Sequence, residues 1–368
     1  MSEWNSRMIG IIDGHVHMGG VADETSMLAI RQETGIEKMG LVSIQDPAAG
    51  AGLPGSLYMK ARYPRWFYVS AGLNHAEKLS EGRVSTPSLT EQVDDFVAMG
   101  CDGIKMIEGK PTSRQRLDVP VTDPYYAEYW AHVEELGIPI VWHVNDPEEF
   151  WDAEQIPGWA KERDWGYGPE DAQKEQLYAE VDEVLARHPR LNVIFAHFYF
   201  LSADLQRAGR FLDEHSTVRF DLAPGIEMLY NLSRDPDASR AFFCKYADRI
   251  VFGTDLASRL TVEEGRVRAG IVYRWLESDE FFRVPEEADF LLGPPEDGLI
   301  RGMALGDDVL KRIYHGNFVE AVSAEPKALN VERAVEGCER IAAIAEALSG
   351  TPAAETEAAR VASKLTEQ

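Results

Sequence analysis

The sequence predicts an α/β protein folded as a (β/α)8 barrel, with a long loop after the fifth strand and a C-terminal helical extension. Two observations predict it. Short apolar runs alternate with amphipathic segments, and eight such runs fall within roughly 250 residues, the usual length of this barrel. Most of the runs are continuously apolar, which is typical of parallel strands buried on both faces. A doubly wound open sheet is the alternative for the same repeated units.

The predicted elements follow one another along the chain. The strands are Ile9–His17, Gly40–Gln45, Trp66–His75, Gly103–Ile107, Pro139–Val144, Asn192–Phe198, Val218–Ala223 and Ile250–Asp255. The helices are Leu89–Met99, Tyr125–Leu136 ending at Gly137, Gln173–Arg187, Ala203–Glu214 capped by Ser202, and Ser239–Tyr246. A last helix is predicted at about Val331–Leu348, followed by a frayed tail. We therefore expect a barrel over 1–322 and a helical extension over 323–368.

Two long insertions interrupt the pattern. Asn145–Pro169 follows the fifth strand and holds Trp151, Trp159 and Trp165. It is either a loop packed on its own aromatic side chains or a lid over a pocket. Ala257–Asp308 follows the eighth strand.

The charge balance limits the partners of the chain. Lys and Arg number 37 and Asp and Glu 62, a formal net charge of −25, which disfavours nucleic acids and anionic membranes. A small anionic substrate remains compatible, because one metal ion or arginine reverses the sign inside a pocket. The three cysteines are isolated, which favours reduced thiols. We found neither a secretory signal nor a membrane-spanning run, and we expect a cytoplasmic protein.

Imidazole and carboxylate side chains collect at the predicted strand ends. They are His15, His17, His143, His197 and Asp255. His15 and His17 lie two residues apart on one strand and therefore share a face. Neutral imidazole and carboxylate are ligands of Zn²⁺ and similar divalent ions. Together these positions predict a metal site at the mouth of the barrel.

At these positions the chain resembles the amidohydrolase superfamily, within the branch of aminocarboxymuconate-semialdehyde decarboxylase and related hydrolases and hydratases. The resemblance spans roughly Ile9–Val322. It rests on the segments IIDGHVH, GIKMIEG, IPIVWHV, NVIFAHF, DRIVFGTD and VLKRIYHGN.

The resemblance implies a role for each strand-end residue. His15, His17 and His143 would be metal ligands. His197 would be a ligand of a second metal or a catalytic electrophile, and Asp255 a ligand and proton shuttle. The implied cofactor is one or two divalent ions per chain, Zn²⁺ in the first place, with Mn²⁺ and Fe²⁺ as alternatives.

Lys105, on the fourth strand, has three interpretations: a carboxylated bridge between two metals, a partner for a substrate carboxylate, or a structural lysine. Polar residues near the strand ends are candidates for substrate contact. They are Lys105, His75, Asn145, Tyr199 and Arg259.

The expected activity is that of a metal-dependent hydrolase. It would act on an amide, ester or lactone-like bond of a small carboxylated or aromatic molecule. A non-oxidative metal-dependent decarboxylase is the alternative. We expect a homo-oligomer, most simply a dimer.

One competing motif, Gly50–Gly55, matches the GxGxxG pattern of dinucleotide-binding folds. Residues 46–49 separate it from the preceding strand, and Pro54 lies within it, whereas that fold needs an immediate tight turn. We interpret it as a loop at the mouth of the barrel.

Overall fold

A computed structural model describes residues 10–224, 227–285 and 298–367. The predicted start of the first strand at Ile9 and residues 286–297 of the second insertion lie outside these ranges.

Nine parallel strand segments form one curled sheet in the order β8-β7-β6-β5-β4-β3-β2-β1-β9. They are β1 (Ile11–His17), β2 (Ile36–Val42), β3 (Phe67–Gly72), β4 (Gly103–Gly109), β5 (Ile140–Val144), β6 (Val193–Phe195), β7 (Val218–Asp221), β8 (Ile250–Val251) and β9 (Leu256–Ala257). β8 and β9 are two parts of the eighth strand. Gly14 N donates to Phe252 O at 2.9 Å and Asp255 N to His15 O at 3.0 Å, which closes the barrel onto β1. The predicted (β/α)8 barrel is confirmed.

Five strands, β2, β3, β6, β7 and β8, end earlier than their apolar runs predict, and two of them end beside an unusual backbone turn. β6 stops at Phe195, because residues 197–200 adopt positive φ angles. β8 stops at Val251, and Asp255, with φ of 56°, precedes the short continuation in β9. In both cases the backbone turns out of the sheet at a predicted site residue.

The helices surround the barrel. They are α1 (Glu24–Thr34), α2 (Leu53–Arg62), α3 (Ala76–Leu79), α4 (Leu89–Met99), α5 (Pro111–Leu117), α6 (Ala127–Leu136), α7 (Gly158–Lys161), α8 (Lys174–Arg187), α9 (Leu205–Glu214), α10 (Met228–Ser233), α11 (Pro236–Lys245), α12 (Val262–Glu277), α13 (Asp307–Lys311), α14 (Asn317–Ala321), α15 (Val331–Ser349) and α16 (Glu357–Thr366). Leu89–Met99 matches its prediction, with Ser88 and Glu91 forming a capping box. The predicted cap Ser202 is wrong, because Asp204 caps α9 by accepting from Arg207 N.

The lower end of the barrel is filled by side chains from six strands. They are Ile12, Val42, Tyr68, Val141, Ile194 and Val251. Phe318 of α14 packs against this layer. The barrel is therefore a packed core at this end, and space for a ligand lies at the other end, as is usual for the fold.

The predicted frayed tail is wrong. Residues 357–366 form α16, whose Ala358, Val361 and Leu365 are buried at helical spacing. Glu357 accepts a hydrogen bond from Val21 N at 2.6 Å, in the loop that follows β1. The helix therefore fastens part of the barrel mouth.

The two insertions have structure of their own. In 145–169, the three tryptophans pack against a small cluster that includes Phe150 and Tyr167. The second insertion contains α12 and a two-stranded antiparallel sheet of β10 (Phe281–Phe282) and β11 (Ile300–Arg301). The three cysteines are free thiols. Within the described ranges, we found no helix with the length and apolar character needed to cross a membrane.

Candidate metal centre

The mouth of the barrel brings together the five strand-end residues. Ligand atoms of His15, His17 and Asp255 all lie within 4.8 Å of one another. His17 Nε2 is 3.2 Å and His15 Nε2 3.9 Å from Asp255 Oδ1. The ring centroid of His197 is 5.2 Å from that of His15 and 4.7 Å from that of His143. One compact group thus contains four imidazoles and a carboxylate.

Three of the four imidazoles are held by an oxygen on their outer side. His15 Nδ1 contacts Asp221 Oδ2 at 2.7 Å. His143 Nε2 contacts the carbonyl oxygen of Asn145 at 3.0 Å, and His197 Nδ1 that of Ala223 at 3.2 Å. Carbonyl and carboxylate oxygens only accept hydrogen bonds, so each of these ring nitrogens carries the hydrogen. The opposite nitrogen of each neutral ring then directs a lone pair into the cluster.

As a result, ring nitrogens that can only accept hydrogen bonds face one another inside the cluster. His143 Nδ1 and His197 Nε2 face each other at 3.2 Å. With both outer nitrogens protonated, neither neutral ring has a hydrogen to place between them. A proton or a cation is needed in the cluster to satisfy these atoms.

The backbone beside the cluster is strained. Residues 197–200 have φ between 50° and 57°, a left-handed turn made without glycine. Asn145 and Asp255 also have positive φ, at 69° and 56°. Such conformations cost of order 1–3 kcal/mol each and collect at functional sites. Here they lie at the ends of the fifth, sixth and eighth strands.

Burial and charge set the protonation of the cluster. Burial lowers the pKa of His15 and His197 well below the usual value, and nearby Lys105 and His143, respectively, act in the same direction. Burial acts to raise the pKa of Asp255. The hydrogen bond from His17 and the charge of Arg268 outweigh it and hold that pKa well below its usual range. Neutral imidazoles beside an ionised carboxylate are therefore favoured.

A cavity of about 250 Å³ at the barrel mouth is lined by both polar and apolar side chains, and it is linked to the cluster through Lys105, whose charge acts on His15 and Asp255, whereas none of the five cluster residues lines it. Among them are Gln45, Leu73, His75, Lys105, Glu108, Lys110, Arg116 and Trp165. Lys105 is buried, and burial lowers its pKa to about 8, against the opposing charges of Asp221, Asp255 and Glu108. Among the described residues, no carboxylate lies within ion-pair distance of its ammonium group.

The fold and this constellation agree with the comparisons to known proteins. The model of a family described as Amidohydrolase matches residues 89–317, more than half of the chain. The chain belongs to this amidohydrolase family. No curated protein sequence matched the chain.

Solved structures share the barrel at low sequence identity. An uncharacterized TIM-barrel protein from Bordetella bronchiseptica aligns with a TM-score of 0.53 at 15% identity, over 85% of this chain and 98% of its own. A structure named amidohydrolase II has a TM-score of 0.52 at 12% identity, over 85% and 99%. A 2,6-dihydroxybenzoate decarboxylase from Rhizobium has a TM-score of 0.50 at 15% identity, over 85% and 98%. These likenesses show the fold.

The donor set fits the divalent metal expected of an amidohydrolase. In metal sites a ligating histidine almost always donates its other N–H to a carboxylate or a backbone carbonyl. His15, His143 and His197 follow this pattern through Asp221, Asn145 O and Ala223 O. Imidazole nitrogens with one carboxylate suit Zn²⁺, Mn²⁺ or Fe²⁺.

Of the five residues predicted to contact the substrate, two line the cavity and three do not. His75 and Lys105 line the cavity. Tyr199 does not reach the cluster, because its ring is buried against Phe195 and Phe211. Arg259 is exposed, and the arginine that contacts Asp255 is Arg268, with Nη2 at 3.2 Å from Oδ2. The fifth candidate, Asn145, is buried and holds His143 through its backbone carbonyl.

Three residues of the site were missed in the sequence. Asp221 orients His15 and also accepts from the backbone N of His197 at 2.8 Å. Arg268 holds Asp255. Asp146 contacts His143 Nε2 at 3.3 Å. Asp221, near the end of the predicted strand Val218–Ala223, and Asp146, just after the predicted strand Pro139–Val144, carried the same strand-end signal as the chosen residues.

Proposed function

We propose that this amidohydrolase is a metal-dependent hydrolase that acts on an amide, ester or lactone-like bond of a small carboxylated molecule. The observation that supports it is one cluster in which His15 and His17 lie beside Asp255 and the free nitrogens of His143 and His197 face each other without a hydrogen between them. His15, His17, His143 and Asp255 would hold the ion, with His197 beside it. A bound divalent ion would supply Lewis acidity and lower the pKa of a coordinated water.

The residues of the chain supply the remaining chemistry. Asp255 is ionised, fixed by Arg268 and close to His17, so its carboxylate accepts a proton from the attacking water. His197, whose Nδ1 is anchored on Ala223 O, presents Nε2 toward the same space. Lys105, a buried cation without an ion-pair partner among the described residues, would bind the carboxylate of the substrate.

The cavity limits the size and character of the substrate. A volume of about 250 Å³ suits a molecule of one ring or a short chain. Trp165 and Leu73 offer an apolar wall, whereas Lys105 and Arg116 bring positive charge into a chain of net charge −25. A small acid with a planar or apolar part fits both surfaces.

A non-oxidative decarboxylase is the second proposal. The Rhizobium decarboxylase has the same fold, and Lys105 beside Asp255 would place a substrate carboxylate near an acid–base group. In that reaction, the carbon that loses CO₂ takes up a proton.

The first experiment is elemental analysis of protein purified without chelator, and then after incubation with Zn²⁺, Mn²⁺ or Fe²⁺. About one ion per chain supports the site. About two supports a carboxylated Lys105 and a hydrolase. No bound metal under any condition contradicts the proposal.

The second experiment separates the two reactions. The metal-loaded protein is incubated in ¹⁸O-labelled water with a panel of small aromatic acids and of lactones, esters and amides that carry a carboxylate. Label in the product supports hydrolysis, and release of CO₂ supports decarboxylation.

A further inference from the structure

A second histidine-centred chain lies apart from the metal cluster. His75 Nε2 contacts Glu108 Oε1 at 2.7 Å, and His75 Nδ1 contacts the hydroxyl oxygen of Tyr125 at 2.8 Å. His75 and Glu108 are both buried. The second carboxylate oxygen of Glu108 accepts from the backbone N of Ile107 at 2.8 Å, which fixes the carboxylate in place.

The chain joins two separate spaces. His75 and Glu108 line the mouth cavity, beside Lys105. Tyr125 lines a different groove of about 710 Å³ on the outside of the barrel, formed mainly by α3, α6 and the segment between α3 and α4. The three side chains therefore span the wall between the outer groove and the inner cavity.

We propose that Tyr125, His75 and Glu108 form a proton relay from the outer groove to the mouth cavity. A proton taken up by the hydroxyl oxygen of Tyr125 releases the hydroxyl's own hydrogen to His75 Nδ1. The hydrogen on His75 Nε2 passes to Glu108, which becomes a carboxylic acid and gives the proton to the reacting substrate. The chain resets in the opposite order: Glu108 takes a proton from water or acidic product in the mouth cavity and passes it to Nε2, Nδ1 returns its hydrogen to the oxygen of Tyr125, and Tyr125 releases a proton to the groove. No electrons are transferred.

The hydrogen bonds favour this direction. Burial raises the pKa of Tyr125 to about 12, with Glu108 and Glu77 acting in the same sense, so the hydroxyl keeps its hydrogen near neutral pH. A neutral imidazole with its hydrogen on Nε2 satisfies both contacts, since Tyr125 donates to Nδ1 and Nε2 donates to the carboxylate.

The charged and titratable groups around the relay come from the neighbouring elements. Lys105 of β4 and the hydroxyls of Tyr126 and Tyr129 interact with Glu108. On α3, Lys78 lies with Nζ 5.5 Å from the ring centroid of Tyr125, and Glu77 is its acidic neighbour.

The relay serves either proposed reaction. Hydrolysis needs a proton on the leaving nitrogen or oxygen, and decarboxylation needs one on carbon. The inference rests on the proposed function for its turnover test. We therefore pair that test with a measurement that needs no substrate.

The substrate-free measurement is histidine ¹⁵N NMR of the full chain at pH 7.5, with the His75 signals assigned by their loss in His75→Gln. We expect the Nε2–H tautomer. We also expect the Nδ1 resonance to move in Tyr125→Phe and to stay in place in Tyr129→Phe. Tyr129 is a matched control, because it lines the same groove and its buried hydroxyl, although it is close enough to Glu108 to sense its charge, has no hydrogen-bond partner among the described residues. An Nδ1–H tautomer overturns the relay, whether or not any acid is turned over.

The turnover test uses whichever compound of the panel reacts. Tyr125→Phe should lower kcat about tenfold or more, since direct acid–base catalysis contributes 10²–10⁴-fold, and should leave KM unchanged. Its solvent deuterium isotope effect on kcat should rise. Equal kcat and isotope effects in Tyr125→Phe and Tyr129→Phe overturn the relay. Absence of turnover in the wild type counts against the proposed function alone.

Discussion

Two histidine-bearing regions of the barrel mouth differ in what their second nitrogen does. In the metal cluster, His15, His143 and His197 each fix one nitrogen on an oxygen and leave the other facing further acceptors. In the relay, His75 has a partner on both nitrogens, a hydroxyl and a carboxylate. All four lie near strand ends, so position alone does not separate them. The hydrogen-bond partners do separate them, because ring nitrogens of the cluster face each other without a hydrogen, whereas both nitrogens of His75 have complementary partners.

The largest expected effect tests the cluster side of this comparison. Asp255→Asn removes the carboxylate that faces His15 and His17, and metal content should fall toward zero. Turnover of a reacting acid should fall about 10²–10⁴-fold, the range for loss of an acid–base group. Elemental analysis and initial rates measure both.

His75→Gln is the matched variant for metal content. It changes a strand-end histidine whose nitrogens already have partners, and it should retain the ion. If both variants keep the ion, or both lose it, the distinction between the regions is wrong.

A second test concerns a buried pair that is satisfied without a metal. Lys110 Nζ lies 2.5 Å from Asp146 Oδ2, and the hydroxyl of Tyr167 also contacts this carboxylate. Lys110→Met leaves Asp146 buried without its cation, which should cost about 3 kcal/mol of unfolding free energy. Urea denaturation measures the loss.

Adding Asp146→Asn to Lys110→Met removes the uncompensated charge. The double variant should recover more than half of the lost stability. A double variant that is no more stable than the single one would show that the pair is not coupled.

A third test changes the carboxylate that contacts the outer ring nitrogen of His15. Asp221→Asn replaces the carboxylate on His15 Nδ1, and the Kd for Zn²⁺ should rise about 10–100-fold, as for other outer-contact changes. Titration with Zn²⁺ measures it. Asp13 is a matched control, since it is buried and contacts the backbone N of His15 rather than an imidazole. Equal affinities in Asp221→Asn and Asp13→Asn would contradict the assignment.

The smallest expected effect concerns a buried carboxyl group that is stabilised when it binds a proton. Glu227 is buried, its Oε2 has no partner among the described residues, and burial raises its pKa to about 7. Between the unfolded pKa near 4.3 and the folded pKa near 7, the folded chain binds more protons, so stability falls as pH rises through this window.

Glu227→Gln removes this pH dependence. At pH 8 the variant should be more stable than the wild type, by about 1–3 kcal/mol, whereas at pH 4 the two should be similar. Thermal unfolding across pH measures the difference. A wild-type and variant pair with parallel curves from pH 4 to 8 would rule out the shifted carboxyl.

The sequence predicted those parts of the site that depend on strand order. His15 and His17 share a face because a strand repeats every two residues, and His143, His197 and Asp255 follow from the ends of parallel strands. Their roles as ligands stay predictions. The fold followed from the same periodicity and is confirmed, apart from the strand ends and the last helix.

What the sequence did not predict depends on contacts between distant segments. Arg259 is four residues from Asp255, yet Arg268 makes the contact, because it lies on α12, which packs against α1 and β9. Tyr199 stands in the left-handed turn after β6, and no local pattern predicts four successive non-glycine residues at positive φ. That turn directs Tyr199 into the core and away from the cavity.

The hydrogen bond from Val21 N to Glu357 has a consequence for biosynthesis. The two residues are 336 positions apart, and the loop that holds Val21 follows the strand bearing His15 and His17. A ribosome releases this loop early and α16 only after all eight barrel strands have emerged. The first loop of the mouth therefore reaches its final shape late in translation. A chain stalled before α16 would carry complete strands with an unfastened barrel mouth.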